Sequence, residues 1–166
     1  PLYSSAASDV YKRQVKLNYD CEMLNYIASF LLIFVCGFSY GQSDEFLEMK
    51  ALAESGDVEA QFYLAYRYAN GNEVPKNDKT AVKWYTKAAE QGLAEAQFNL
   101  GVKYANGEGV LSSNVKAYMW WNLAAFNGHE NASKNKDIIN KRMTKEQIGR
   151  AQDLSEACLA KDYKGC

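Results

Sequence analysis

The sequence predicts an all-α fold in which antiparallel helix pairs stack in a row and a helix caps each end. Three observations carry this. A segment of 36 residues occurs twice in succession, and residues 56–91 and 92–127 agree at 15 positions. Unrelated segments would agree at only about two, given ordinary residue usage, and a fixed period of this size marks a stacked-repeat architecture. The chain has two prolines in 166 residues and abundant Ala, Glu, Lys and Gln, which favour helix. Within each unit, apolar residues recur at three- and four-residue spacing, the period of an amphipathic helix.

The first residues fall outside this pattern. Residues 4–14, SSAASDVYKRQ, match the translation of a transposon adapter used in sequencing-library preparation. Residues 1–22 are therefore read as adapter scar and upstream translation, with Met23 as the initiator. Residues 23–41 read as a signal peptide. Their apolar core, Ile27–Phe38, has 12 residues, too few to cross roughly 30 Å of hydrocarbon as a helix. Ser39 and Gly41 are the small residues that a cleavage site before Gln42 requires. An uncleaved anchor and a lipoprotein site at Cys36 are the alternatives. Val35 opposes the second, because such sites take a small residue there.

Cleavage at Gly41–Gln42 would leave a periplasmic or secreted chain of 125 residues, Gln42–Cys166, with no stable membrane span. That length suffices for one domain with a core. Its 16 Lys and Arg face 17 Asp and Glu, with no basic run, so nucleic-acid binding has no electrostatic support. Cys158 and Cys166 are the cysteines that survive processing. An even pair in an exported chain suggests a disulfide.

Residues 42–55 predict a capping helix, started by Ser43, whose Phe46, Leu47, Met49 and Leu52 cover the open end of the stack. Repeat one, residues 56–91, opens on Asp57 as an N-cap. Ala60, Leu64 and Tyr68 form one stripe, extended by Phe62, Ala65 and Ala69, and the helix stops at Asn70-Gly71. Asn77 caps a second helix, where Ala81, Trp84, Tyr85, Ala88 and Ala89 recur at helical spacing. Repeat two, residues 92–127, keeps the logic with Ala96, Leu100, Gly101 and Tyr104, then Ala117, Trp120, Trp121, Ala124 and Ala125. Residues 128–166 read as a degenerate third repeat and C-terminal cap. Ile138, Ile139 and Met143 give its first helix an apolar face. Thr144-x-x-Gln147 is a capping box before a last helix carrying Ile148, Ala151, Leu154, Ala157 and Leu159.

Two segments, AEAQFNLGVKYANGEGV from Ala94 and KAYMWWNLAAFNG from Lys116, carry a pattern that resembles the Sel-one-like repeat family of tetratricopeptide-type α-solenoids. Residues 60–92 carry it with departures: Ala65 stands where the family has Gly, and Glu73 replaces the second Gly of the loop. The resemblance spans roughly residues 44–166. It implies right-handed stacked helix pairs that serve as scaffolds, adaptors or secreted factors, and it implies no chemistry. The spacing Cys158-x₇-Cys166 is similar to the helix-to-helix disulfides of the cysteine-rich secreted members.

In α-solenoids the first helix of each pair lines the concave surface. Tyr63, Tyr66, Arg67 and Asn70 fall away from the apolar stripe, and Asn99, Val102, Lys103 and Asn106 are their counterparts one repeat on. Tyr and Arg are favoured anchors, so Tyr63, Tyr66, Arg67, Asn99 and Lys103 are the candidate partner-binding residues, for a protein or peptide. An enzyme-like alternative, acting on cell-wall or β-lactam substrates as associated with some cysteine-rich relatives, rests on two Ser-x-x-Lys matches, Ser113–Lys116 and Ser133–Lys136. It lacks the further motifs that serine chemistry of that kind needs. His129, the one histidine, has no ligand cluster in the sequence around it. Trp84, Trp120 and Trp121 sit on core positions, and Gly107-Glu108-Gly109 is a turn. The expectation is therefore no catalytic residue, no metal and no cofactor.

Overall fold

The computed structural model describes residues 45–166. The adapter scar, the signal peptide, the cleavage site Gly41–Gln42 and the Ser43 cap lie outside the described residues. Glu48–Cys166 form one compact unit. Seven helices are described: α1 (45–55), α2 (Val58–Asn70), α3 (Asp78–Ala89), α4 (Ala94–Asn106), α5 (Asn114–Phe126), α6 (Glu130–Asn140) and α7 (Lys145–Leu159). Among the described residues there is no strand. The architecture is an all-helical solenoid of repeats.

The 36-residue period is written into the helix starts. Val58, Ala94 and Glu130 begin α2, α4 and α6, and Asp78 and Asn114 begin α3 and α5. The starts are fixed locally by capping side chains, which supply acceptors to otherwise orphaned N–H groups. Asp57 Oδ1 accepts from Ala60 N at 2.7 Å and Asn77 Oδ1 from Thr80 N at 3.0 Å. Ser113 Oγ accepts from Lys116 N at 3.3 Å. Thr144 and Gln147 form both arms of the capping box at α7. That helix starts five residues ahead of the position the period assigns, so the third unit keeps the register through α6 and loses it at the turn.

Packing departs from the sequence reading in several places, among them the last helix, where Leu154 and Ala157 are exposed and Ser155 and Cys158 are buried beside Ala151. Leu47 and Leu52 are exposed, and the fully buried residue of α1 is Ala53. Met49 and Ala53 lie four residues apart on one stripe, and Leu52 lies about 100° round from it. Gln61 Nε2 donates to the Ala53 carbonyl at 3.1 Å, which holds that stripe inward. Helix α5 is buried round most of its circumference: Tyr118, Met119 and Leu123 join the expected Ala117, Trp120, Trp121 and Ala124, and Lys116 and Phe126 stay exposed. It packs against α4, α6 and α7 together, and a helix enclosed by neighbours is apolar on most sides. Ile139 is buried and Met143 half-buried in the core, but Ile138 is 54 % exposed. Glu73 adopts φ 62°, the left-handed region that Gly109 holds at 75°, so the loop keeps its course without the glycine. At Gly109 a Cβ would stand 2.4 Å from the Asp78 carbonyl oxygen of the preceding repeat, which no side chain tolerates.

Candidate binding face

The first helices of the three units present equivalent positions 36 residues apart: Tyr63, Asn99, Asn135; Tyr66, Val102, Ile138; and Asn70, Asn106, Arg142. Tyr63 and Tyr66 are 55 % and 48 % exposed. Phe62 orders this corner, its ring 5.5 Å from that of Tyr63 and 5.9 Å from that of Tyr85. Burial pushes the Tyr85 phenol well up, and Tyr66 nearby adds to it, so Tyr85 stays neutral. Asn70 Nδ2 donates to the Tyr66 carbonyl at 2.9 Å. Asn99 is half-buried on α4.

Arg67 and Lys103 occupy a different row, the one that Ile139 fills in the third unit. Ile139 is buried, and so is Lys103. The Lys103 ammonium donates to Asp78 Oδ1 at the start of α3 and to Glu108 Oε2 in its own loop, both at 2.7 Å. Burial pulls the Lys103 pKa down, but the bonds to Asp78 and Glu108 together hold it above its ordinary value. The same bonds hold both carboxyls below theirs. Lys103 therefore ties one repeat to the next. Arg67 pairs with Glu73 of its own loop, so both candidate cations are committed to loop carboxylates.

A cleft of about 230 Å³ opens between α4 and α6 over α5. Its apolar lining includes Val102, Trp121, Ile138 and Ile139. Its polar lining is Asn106, Asn114, Asn135 and Arg142. Of these, Asn106 was in view in the sequence as a counterpart of Asn70. Asn135 and Arg142 were missed, although the register carried one step further reaches both.

A second feature escaped the sequence reading. Gln61 and Gln97 are buried. Gln97 Nε2 donates to the Ala89 carbonyl at 3.1 Å, and its Oε1 accepts from Asn127 Nδ2 at 2.9 Å. Gln91 repeats that bond to Gln61 Oε1 at 2.9 Å. Tyr163 O–H donates to Asn127 Oδ1 at 2.8 Å, which ties the C-terminal tail to this relay. The signal was the identical Ala-Gln-Phe in both repeats, inside an otherwise apolar stripe.

The Ser-x-x-Lys matches resolve into structural parts. Ser113 caps α5. Lys136 Nζ donates to Asn122 Oδ1 at 3.1 Å and lies over the Tyr118 ring. His129 stacks on Phe98 with ring centroids 4.1 Å apart. Among the described residues, no three His, Cys, Asp or Glu side chains group to hold a metal ion. No described helix is long and apolar enough to cross a membrane. Cys158 and Cys166 are joined, with Cα atoms 5.5 Å apart.

Paired helices repeating at a fixed period define a helical-repeat protein, and an outward row of aromatic and amide side chains runs along its first helices. The Sel1 repeat matches twice, over residues 58–93 and 94–129. The fold is similar to that of a protective antigen of uropathogenic Escherichia coli displaying an SLR fold, at 34 % identity and a TM-score of 0.68. That likeness covers 71 % of this chain and 26 % of the antigen, so the chain spans about a quarter of its length. A Sel1 repeat protein from Oxalobacter formigenes is 31 % identical over 66 % of this chain and 98 % of its own, with a TM-score of 0.47. No curated protein matches significantly. The chain belongs to the Sel1 repeat family.

Proposed function

We propose that this chain is a non-enzymatic module that binds a protein or peptide outside the cytoplasm through the outward rows of α2 and α4. The observation that carries the reading is the pair Tyr63 and Tyr66, both about half exposed within one turn of α2. Rigid aromatics lose little entropy on binding and recur as interface anchors. Asn99 continues the row, and Arg67 and Lys103 flank it on fixed tethers. The joined Cys158–Cys166 pair supports action in an oxidising compartment, as does the antigenic character of the E. coli protein of similar fold.

The test is capture of partners from the envelope fraction of the source cells, with wild type and the Tyr63→Ala, Tyr66→Ala and Arg67→Ala variants. Losing a true anchor costs about 2 kcal/mol or more, roughly thirty-fold in affinity. Full retention by all three variants, with loss on substituting the outer faces of α3 and α5, would move the site to the second helices.

A further inference from the structure

We infer that the cleft between α4 and α6 is a subsite for an extended peptide segment in which a bulky aliphatic side chain lies next to a carboxylate. The inference rests on the proposed binding role and adds the chemistry of the partner and the place where it is read. The cleft continues the outward row: Asn106 and Arg142 stand where Asn70 stands on α2, and Val102 and Ile138 stand where Tyr66 stands. A chain following that row therefore runs into it.

Charge sets the first requirement. Arg142 is the one ionisable residue in the lining, and no acidic group accompanies it. Its guanidinium is exposed and takes no ion-pair partner among the described residues, in contrast to Arg67 and Lys103. A guanidinium fork with nothing to bind matches a carboxylate.

Shape and polarity set the second. A volume of about 230 Å³ accommodates one large side chain, and the base of the cleft is the Trp121 and Ile139 side chains, both 5 % exposed. Ile138 is 54 % exposed at its edge, an apolar surface that a second aliphatic group would cover. The side chains of Asn114 and Asn135 make no hydrogen bond among the described residues and are half-buried. A carboxamide offers two donors and an acceptor, the complement of a peptide N–H and C=O. Unpartnered amides beside an apolar base thus suit a peptide backbone better than a featureless apolar ligand.

The test uses three probes, acetyl-Leu-Asp-amide, acetyl-Leu-Asn-amide and acetyl-Ala-Asp-amide, titrated into isotope-labelled protein to about 20 mM, the weak range proper to ligands of this size. The readouts are the Trp121 indole N–H and the side-chain amides of Asn114 and Asn135. The expected result is saturable shifts at all three with the Leu-Asp probe. Binding of the Leu-Asn and Ala-Asp probes should be about tenfold weaker, the worth of a charge-assisted bond or a buried aliphatic group respectively. Arg142→Ala should equalise the Leu-Asp and Leu-Asn probes without altering the unfolding midpoint. Absence of saturable shifts at Trp121, or equal binding of the Asp and Asn probes to wild type, overturns the inference. So does shift mapping to α3 or α7 instead. Each of these leaves the Tyr63 and Tyr66 capture result untouched, so the two readings fail separately.

Discussion

Gly101→Ala tests how the repeats pack. In an isolated helix interior the change stabilises by about 0.5–1 kcal/mol, because Ala loses less conformational entropy than Gly. Here the new Cβ would stand 2.5 Å from both Cδ1 and Nε1 of the Trp121 indole, about 1 Å inside ordinary contact. The indole is 5 % exposed, and retreat toward the cleft that it floors would pull its N–H from the Phe98 carbonyl, to which it donates at 3.1 Å. Overpacking of this kind costs about 1–3 kcal/mol, and the displaced hydrogen bond about 1 kcal/mol more. The net expectation is a loss of about 2 kcal/mol, or roughly 8 °C in Tm for a domain of this size. Circular dichroism at 222 nm, in thermal and urea scans, measures it. The other repeat supplies the control: its equivalent pair is Ala65 and Tyr85, both buried. Adding Trp121→Tyr to Gly101→Ala should therefore recover part of the loss, with a coupling of about 1 kcal/mol in a double-mutant cycle. A Gly101→Ala protein as stable as wild type, or a cycle with no coupling, would refute the contact.

The remaining expectations concern the ties between units. Asp78 and Glu108 sit below their unfolded values of 3.8 and 4.5, so their contribution is complete above that range and is lost as pH falls through the folded values. Lys103 sits above 10.5, so its contribution is complete below that value and is lost as pH rises past the folded one. Lys103→Met should cost about 1 kcal/mol at pH 7, since both carboxylates stay partly solvated, and should flatten the acid limb of a stability–pH profile. An unchanged acid limb would count against the triad. Reducing Cys158–Cys166 should cost about 2–3 kcal/mol, from the entropy of so short a loop, read as a lower urea midpoint in reductant. Trp84→Ala should cost about 3–5 kcal/mol as a core truncation. Trp84 is 8 % exposed, with the Lys87 ammonium 4.1 Å above its ring; a stable variant would show that it is no core residue.

What the sequence made legible is what neighbouring residues decide. Asp57, Asn77 and Thr144 cap because their own side chains reach N–H groups three residues on. The stripes of α2 and α3 are legible for the same reason. What stayed hidden depends on partners far along the chain. Lys103 reads as a solvated cation on its own helix, and only Asp78, 25 residues earlier, makes it an inter-repeat bolt. Leu52 reads as core, and only the Gln61–Ala53 bond turns it outward. Tyr118 and Met119 stand outside the stripe of Ala117, Trp120, Trp121, Ala124 and Ala125, and they are buried on a helix that α4, α6 and α7 enclose together.

The period of 36 then explains the differences between units as well as their likeness. Each position has one environment, and substitutions within it compensate locally. Where the aromatic of the second helix is Trp121, the first helix has Gly101; where it is Tyr85, the first helix has Ala65. Where the loop carboxylate is Glu108, Lys103 reaches it; where it has moved one place to Glu73, the longer Arg67 reaches it instead. In both units the basic residue and the loop close on each other, which fixes where each cation stands beside the outward row. The third unit breaks the rule at that position with Ile139, and its cation, Arg142, stands three residues on, at the outward position. Among the three units, the cation has left the structural row and joined the outward one only where the cleft lies.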